Sequence, residues 1–189
     1  MRTAWRAAIT ARDPASLIFV DETGSNLAMT RRYGRAKRGQ RVTGQVPRNP
    51  GPNVTLLAAM DQEGLLGELT ITGAVDGDAF EVYVTHVLVP QLRPGDLVIW
   101  DNLSVHKRKW ARIWVEAAGA EVCFLPPYSP DFNPIELAFS KVKTHLRRVG
   151  ARTRAELDQA ITTALQTITR QDAQGWFAHC GYTEAGQLL

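Results

Sequence analysis

The sequence predicts an α/β fold: one mixed five-stranded sheet, its first three strands antiparallel and its last two parallel, flanked by helices. Three observations carry this. Short apolar runs bounded by turn residues alternate with stretches of helical periodicity. The second and third runs are separated only by Asp61-Gln62-Glu63-Gly64, a tight turn that makes them a hairpin. The fourth and fifth runs are each reached through a helix-length stretch, and a helical crossover returns the chain parallel.

Taken in order, Arg2–Arg12 is weakly helical in pattern, and Ser16–Glu22 is an apolar run of strand length. Gly24–Pro52, rich in Gly, Arg and Pro, is expected to form an exposed arm or hairpin inserted after the first strand. Val54–Met60 and Leu65–Thr72 are the hairpin strands. Asp76 is placed to cap a helix with Phe80, Val84, Val87 and Leu88 on one face. Pro94-Gly95 breaks that helix before the strand Leu97–Trp100. Val105–Ala118 is predicted helical, stopped by Gly119 and followed by the strand Glu121–Leu125. Asn133 suits an N-cap, Pro134 a first helical position and Glu136 the N3 place of a capping box. From Pro134 to Val149 apolar residues recur at Ile135, Phe139, Val142, Leu146 and Val149, a core-facing stripe. Thr153 and Glu156 make a second capping box, opening a helix with Leu157, Ile161, Leu165 and Ile168 inward. This order of strands and helices is the one found in ribonuclease-H-like domains.

At 189 residues, 44% hydrophobic and 22% charged, the chain suits one well-buried domain and no disordered or fibrous class. Residues 1–15 are expected to be a lead-in, the remnant of a linker, and residues 16–189 the domain, carrying the inserted basic arm 24–52. No run has the length of a membrane-spanning helix, and the first residues lack a secretory apolar core. Cys123 and Cys180 form neither a zinc pattern nor a disulfide framework. A cytoplasmic protein is expected.

Charge is segregated along the chain. No acid lies between Thr23 and Met60, where Arg31, Arg32, Arg35, Lys37, Arg38, Arg41 and Arg48 stand. Residues 61–96 reverse this, with seven acids against Arg93 alone. Further bases follow at Lys107, Arg108, Lys109 and Arg112, and again from Lys141 to Arg154. A charge run is ordinarily a solvated face. Here the basic blocks follow three isolated acids, which suits a polyanionic partner such as DNA.

Those acids are Asp21, at the end of LIFVD; Asp101, at the end of LVIWD; and Glu136, in the first turn of a helix. An apolar strand running straight into a carboxylate is a costly place for a charge unless something compensates it. Two such strands and one helix-borne glutamate suggest a shared cation site. Glu22 alternates to the opposite side from Asp21 and is excluded; Asp131 is read as a turn residue. On the helix of Glu136, Ser140, Lys143 and Arg147 share its face at intervals of four, three and four.

Three segments are specific enough to suggest a family. FVDETG (Phe19–Gly24), WDNLSVHK (Trp100–Lys107) and LPPYSPDFNPIE (Leu125–Glu136) resemble the signature segments of DDE transposases. The branch they most resemble is the bacterial insertion-sequence-630 type, allied to the mariner superfamily. The 34 residues between Asp101 and Glu136 match the spacing of that branch, and RRYGRAKRGQRV (Arg31–Val42) and WFAHCGY (Trp176–Tyr182) also resemble it. The resemblance implies Asp21, Asp101 and Glu136 as catalytic residues and metal ligands. They would hold two Mg²⁺ ions, with Mn²⁺ as substitute, Asp21 bridging and the other two acids taking one ion each. A pair of ions about 3.5–4 Å apart serves in-line displacement at phosphorus, activating water or a DNA 3′-hydroxyl and stabilising the departing oxygen.

Around that site, Asn102 either orients a metal-bound water or forms a turn, and His106 either reaches a phosphate or merely enters a helix. Arg31, Arg32, Arg35, Lys37, Arg38, Arg41, Lys107, Lys143 and Arg147 are the candidate DNA contacts. In mariner-type relatives an insertion at the arm's position reaches the partner subunit and the DNA, so a homodimer acting on transposon ends and target DNA is implied, with TA the target of relatives. Relatives also carry a helix-turn-helix region ahead of the catalytic domain. Only about fifteen residues precede the first strand here, so end recognition is expected from a separate helix-turn-helix polypeptide or a frameshift fusion, or is lacking. Two other readings stay open: a different ribonuclease-H-fold nuclease, acting on RNA–DNA hybrids or junctions, and a truncated, non-catalytic remnant that binds DNA or a transposase subunit.

Overall fold

The computed structural model describes residues 1–102 and 108–183. Its five strands are β1 (Leu17–Ser25), β2 (Val54–Asp61), β3 (Gly64–Thr72), β4 (Leu97–Trp100) and β5 (Glu121–Phe124), in the order β3-β2-β1-β4-β5. β1, β2 and β3 are antiparallel neighbours, while β4 lies parallel to both β1 and β5. The predicted sheet is thus the observed one. The helices are α1 (Arg2–Thr10), α2 (Gly77–Tyr83), α3 (Lys109–Ala117), α4 (Ile135–Val149), α5 (Arg154–Gln166) and α6 (Arg170–His179).

Strand alternation divides the apolar residues between two faces. Leu17 and Phe19 of β1, Leu56, Ala58 and Met60 of β2, and Leu97 and Ile99 of β4 pack with Ile9 of α1 and the inner faces of α4, α5 and α6. Ile18, Val20, Leu57, Ala59, Val98 and Trp100 point the other way, onto Phe80 and Tyr83 of α2, Val84, Leu88, and Ala111 and Val115 of α3. Both layers are dry, so the sheet is a rigid platform whose strand ends are fixed in space.

Several expectations are corrected. The helix opened by Asp76 does not run on regularly: a single wide turn covers Val84–Leu88 and a tight one Val89–Gln91. Pro90 explains this, since its ring has no N–H to give and crowds the carbonyl four residues back. α3 begins at Lys109, later than predicted, after an extended Arg108. Val149 is half exposed and stands outside the apolar stripe. Ile168 lies beyond the end of α5, although it still packs on the core. α6 was not anticipated, yet the sequence carries its signal in a capping box made by Thr169 and Asp172. The arm between β1 and β2 contains neither helix nor strand and is therefore no hairpin. It is held at its root, where Leu27 N–H donates to the Pro50 carbonyl and Arg152 donates to the carbonyls of Leu27 and Met29.

Candidate active site

β1 is paired to β4 only from Leu17 to Phe19, because β4 stops at Trp100. Beyond that point β1 continues on β2 alone, and its other edge opens into a cleft. Asp21 sits at this opening. It has the parity of Leu17 and Phe19, so its side chain leaves the sheet on the face covered by α4. Carrying the β1–β4 register two residues further sets Asp101 beside Asp21. α4 brings its first turn, and Glu136 with it, to the same opening. A cleft of about 510 Å³ results, with Asp21, Asp101, Asn102, Tyr128, Asn133 and Glu136 among its walls. The fold therefore gathers three acids that lie far apart in sequence at one cleft.

Their environments differ. Asp21 is buried, and burial raises its pKa from 3.8 to about 7; the amide of Glu22 opposes this by donating to Oδ1, while the charges of Glu136, Glu22 and Asp101 add to it. Glu136 is exposed at the mouth. Glu22 lies on the opposite face, as its parity requires.

Asn133 overturns the sequence reading most clearly. It does not cap α4, whose N-terminus receives no side-chain cap hydrogen bond among the described residues. Its Nδ2 instead donates to Asp21 Oδ2 at 2.8 Å, in a contact buried on both sides. Its Oδ1 is buried and accepts no hydrogen bond among the described residues.

The loop that carries Asn133 is braced from several directions. Asn102 Nδ2 donates to the Leu125 carbonyl at its start. Arg2 of α1 donates to the Tyr128 carbonyl, Ser129 Oγ and Asp131 Oδ2. The ring of Phe132 stacks on Trp5 at 5.5 Å and lies under the Arg2 guanidinium at 4.3 Å. The Tyr182 hydroxyl donates to the Phe132 carbonyl at 2.6 Å. Tyr128 itself has a φ of 54° and an almost fully exposed side chain. Asp131 is therefore a bracing residue, whereas Asn133, Arg2 and Tyr182 are contributors that spacing alone did not reveal.

The donor set lining the cleft is all oxygen: the carboxylates of Asp21, Asp101 and Glu136. Such hard donors suit Mg²⁺ or Mn²⁺ and do not suit a thiophilic metal. Among the described residues no three His, Cys, Asp or Glu side chains stand close enough to enclose an ion.

Of the candidate DNA contacts, Arg31, Arg32 and Arg35 face the C-terminal end of α4 across a groove of about 710 Å³, with Arg147, Arg148 and Arg152 on its other wall. Burial, aided by the neighbouring Arg32, lowers the pKa of Arg147. Lys37, Arg38 and Arg41 are exposed further out on the arm, and Lys143 is half-buried on α4. His106 and Lys107 lie outside the described residues.

A sequence-family profile described as DDE superfamily endonuclease matches residues 16–158. The chain belongs to this family. No curated protein matches it in sequence. Among solved structures, the Mos1 transposase paired-end complex with left transposon end superposes with a TM-score of 0.78 at 16% identity, over 95% of this chain and 57% of that one. The Mos1 mariner paired-end complex with Mn gives 0.77 at 16% identity, over 95% and 58%. The catalytic domain of Mos1 mariner transposase alone gives 0.66 at 13% identity, over 95% and 86%. This DDE chain thus has the ribonuclease-H-like fold of those structures and spans under three-fifths of the transposase chains in the two complexes. Among the described residues no helix is long and apolar enough to cross a membrane.

Proposed function

We propose that this chain is the catalytic domain of a transposase of the insertion-sequence-630 type, cutting DNA strands and joining them to a target, with TA the preferred site. The observation that carries the reading is the convergence of Asp21, Asp101 and Glu136 on one cleft, in a chain of the DDE endonuclease family. These three residues would hold Mg²⁺ or Mn²⁺, whose bound charge makes an attacking oxygen nucleophilic and neutralises a departing one.

The chain's own part is to present hard oxygen ligands on a rigid frame and to keep water away from their backs. Asp21 does this from a dry strand and Glu136 from a helix fixed by Ile135, Phe139 and Val142. The reaction is a displacement at phosphorus: a bond forms from water or a 3′-hydroxyl oxygen, the bond to the leaving oxygen breaks, and the attacking oxygen's proton passes to solvent. The basic groove beside α4 supplies sequence-independent phosphate contacts that hold the strand.

Homodimerisation, a separate helix-turn-helix polypeptide for transposon ends, and a cytoplasmic, nucleoid-associated location belong to the same proposal. The test is nicking of supercoiled plasmid in Mg²⁺ or Mn²⁺. Asp21→Asn, Asp101→Ala and Glu136→Gln are each expected to lower the rate by at least about 100-fold, the scale of losing one transition-state charge contact. Equal nicking by Asp101→Ala would assign the activity to a contaminant.

A further inference from the structure

We infer that Asn133 is a positioning residue that locks the Asp21 carboxylate toward the cleft and ties it to the start of α4. The inference deepens the function proposed above and rests on it.

Asp21 stands at the free edge of β1, where β4 no longer flanks it, so the sheet itself does not fix its carboxyl group. Among the described residues two hydrogen bonds do so. Oδ1 accepts from the Glu22 amide at 2.8 Å, and Oδ2 accepts from Asn133 Nδ2 at 2.8 Å. The first is local and follows the strand. The second crosses 112 residues of sequence and ties Asp21 to the segment that opens α4. Asn133 meets α4 through its backbone as well, since its carbonyl accepts from the Glu136 amide at 3.2 Å. One residue therefore holds one acid by its side chain and the next by its main chain.

The amide has a definite orientation. With Asp21 ionised, as a cation-binding role requires, turning it over would set Oδ1 against a carboxylate oxygen, two acceptors face to face, so the donor belongs on Asp21. The other half of the amide, Oδ1, is then left buried without a hydrogen bond among the described residues. A buried acceptor of that kind weakens the fold, and Asn133 would make a better helix cap if its side chain turned to the α4 amides. The geometry forgoes both for a single contact with Asp21. Its backbone cannot drift, because Asn133 N–H donates to the Pro130 carbonyl and the preceding carbonyl is held by Tyr182.

Outer contacts that orient metal-ligating side chains typically matter by 10- to 100-fold in metal affinity or activity. Asn133→Leu keeps the volume and removes the donor; Asn133→Asp keeps the shape and replaces the donor with an acceptor; Asn133→Ser retains a shorter donor. Mn²⁺ affinity would be measured by calorimetry on the folded full chain, beside kcat and KM for plasmid nicking and a thermal melt. Expected are roughly 10-fold weaker Mn²⁺ binding and 10- to 100-fold lower kcat in the Leu and Asp variants. KM for DNA should stay within about twofold, and Ser should recover part of the loss. Mn²⁺ affinity and kcat within twofold of wild type in a folded Leu or Asp variant would overturn the inference. A lowered melting temperature with normal Mn²⁺ affinity would also overturn it, leaving a purely structural asparagine. Wild-type protein that neither binds Mn²⁺ nor nicks DNA would overturn the function proposed above, and this inference with it.

Discussion

Asp21 is where the cost of the site is concentrated. Folding lifts its pKa from 3.8 to about 7, chiefly because burial strips water from the carboxylate. The folded state therefore binds this proton more tightly than the unfolded state does. That contribution to stability is whole below pH 3.8 and is lost as pH rises through about 7. At about 1.4 kcal/mol per pH unit the loss is on the order of 4 kcal/mol. Urea denaturation in chelator should accordingly show wild type weakening between about pH 4 and pH 7, with Asp21→Asn nearly flat across that window. Parallel curves for the two proteins would mean that Asp21 is better solvated than its burial implies. Mg²⁺ should reverse the trend in wild type, by binding the ionised form only. Asp21 was legible in the sequence as an acid closing an apolar run, although β1 itself continues past it to Ser25. Its partner Asn133 was not, because Asn before Pro in front of a helix carries the local signature of a cap. Only the approach of β1 offered a stronger bond.

At the scale of elements, the loop between β5 and α4 is the part most heavily supported. Apart from a single 3-10 turn at Pro130–Phe132 it is irregular, and its shape is braced by α1 from one side and by the residues after α6 from the other. The Tyr182 hydroxyl and the Phe132 carbonyl form a buried bond, so Tyr182→Phe should lose about 1 kcal/mol in urea denaturation. Arg2 acts differently. Its ion pair with Asp131 is substantially exposed on both sides, so Arg2→Ala should cost no more than about 1 kcal/mol. It should nevertheless speed amide hydrogen exchange at Phe132 and Asn133, whose N–H groups are bonded to the Ser129 and Pro130 carbonyls of the loop that Arg2 holds. Unchanged exchange there would show that the prolines alone set the loop. The Trp176–Tyr182 segment was noticed from sequence for its family resemblance, but its duty was not: Phe177 and Tyr182 pack on Phe19, two residues before Asp21.

At the scale of the whole molecule, the acids and the bases are sorted onto different structures. The arm after β1 and the C-terminal end of α4 make a basic groove, and α4 runs from that groove to the cleft with Glu136 at its far end. DNA lying along α4 would meet phosphate contacts first and the acids last. Changing Arg31, Arg35 and Arg38 together to Ala should weaken DNA binding and flatten its salt dependence. Each phosphate contact contributes about 0.9 to the slope of log affinity against log salt, so a flattening of about 2–3 is expected. A slope unchanged in filter-binding titrations would remove the arm from the DNA interface.

The sequence by itself determined the sheet and the helix that presents Glu136, and it singled out the three acids that line the cleft, because strand and helix periods and the residues that break them are local properties. What it left undecided was how those acids are held. Asn133 against Asp21, Arg2 across the loop before α4, Tyr182 beneath Phe132 and Arg152 at the root of the arm each join residues distant in the chain. Such contacts depend on which surfaces the packed sheet and helices bring together, and a hydrogen-bonding side chain takes its strongest partner there even when a local one is available.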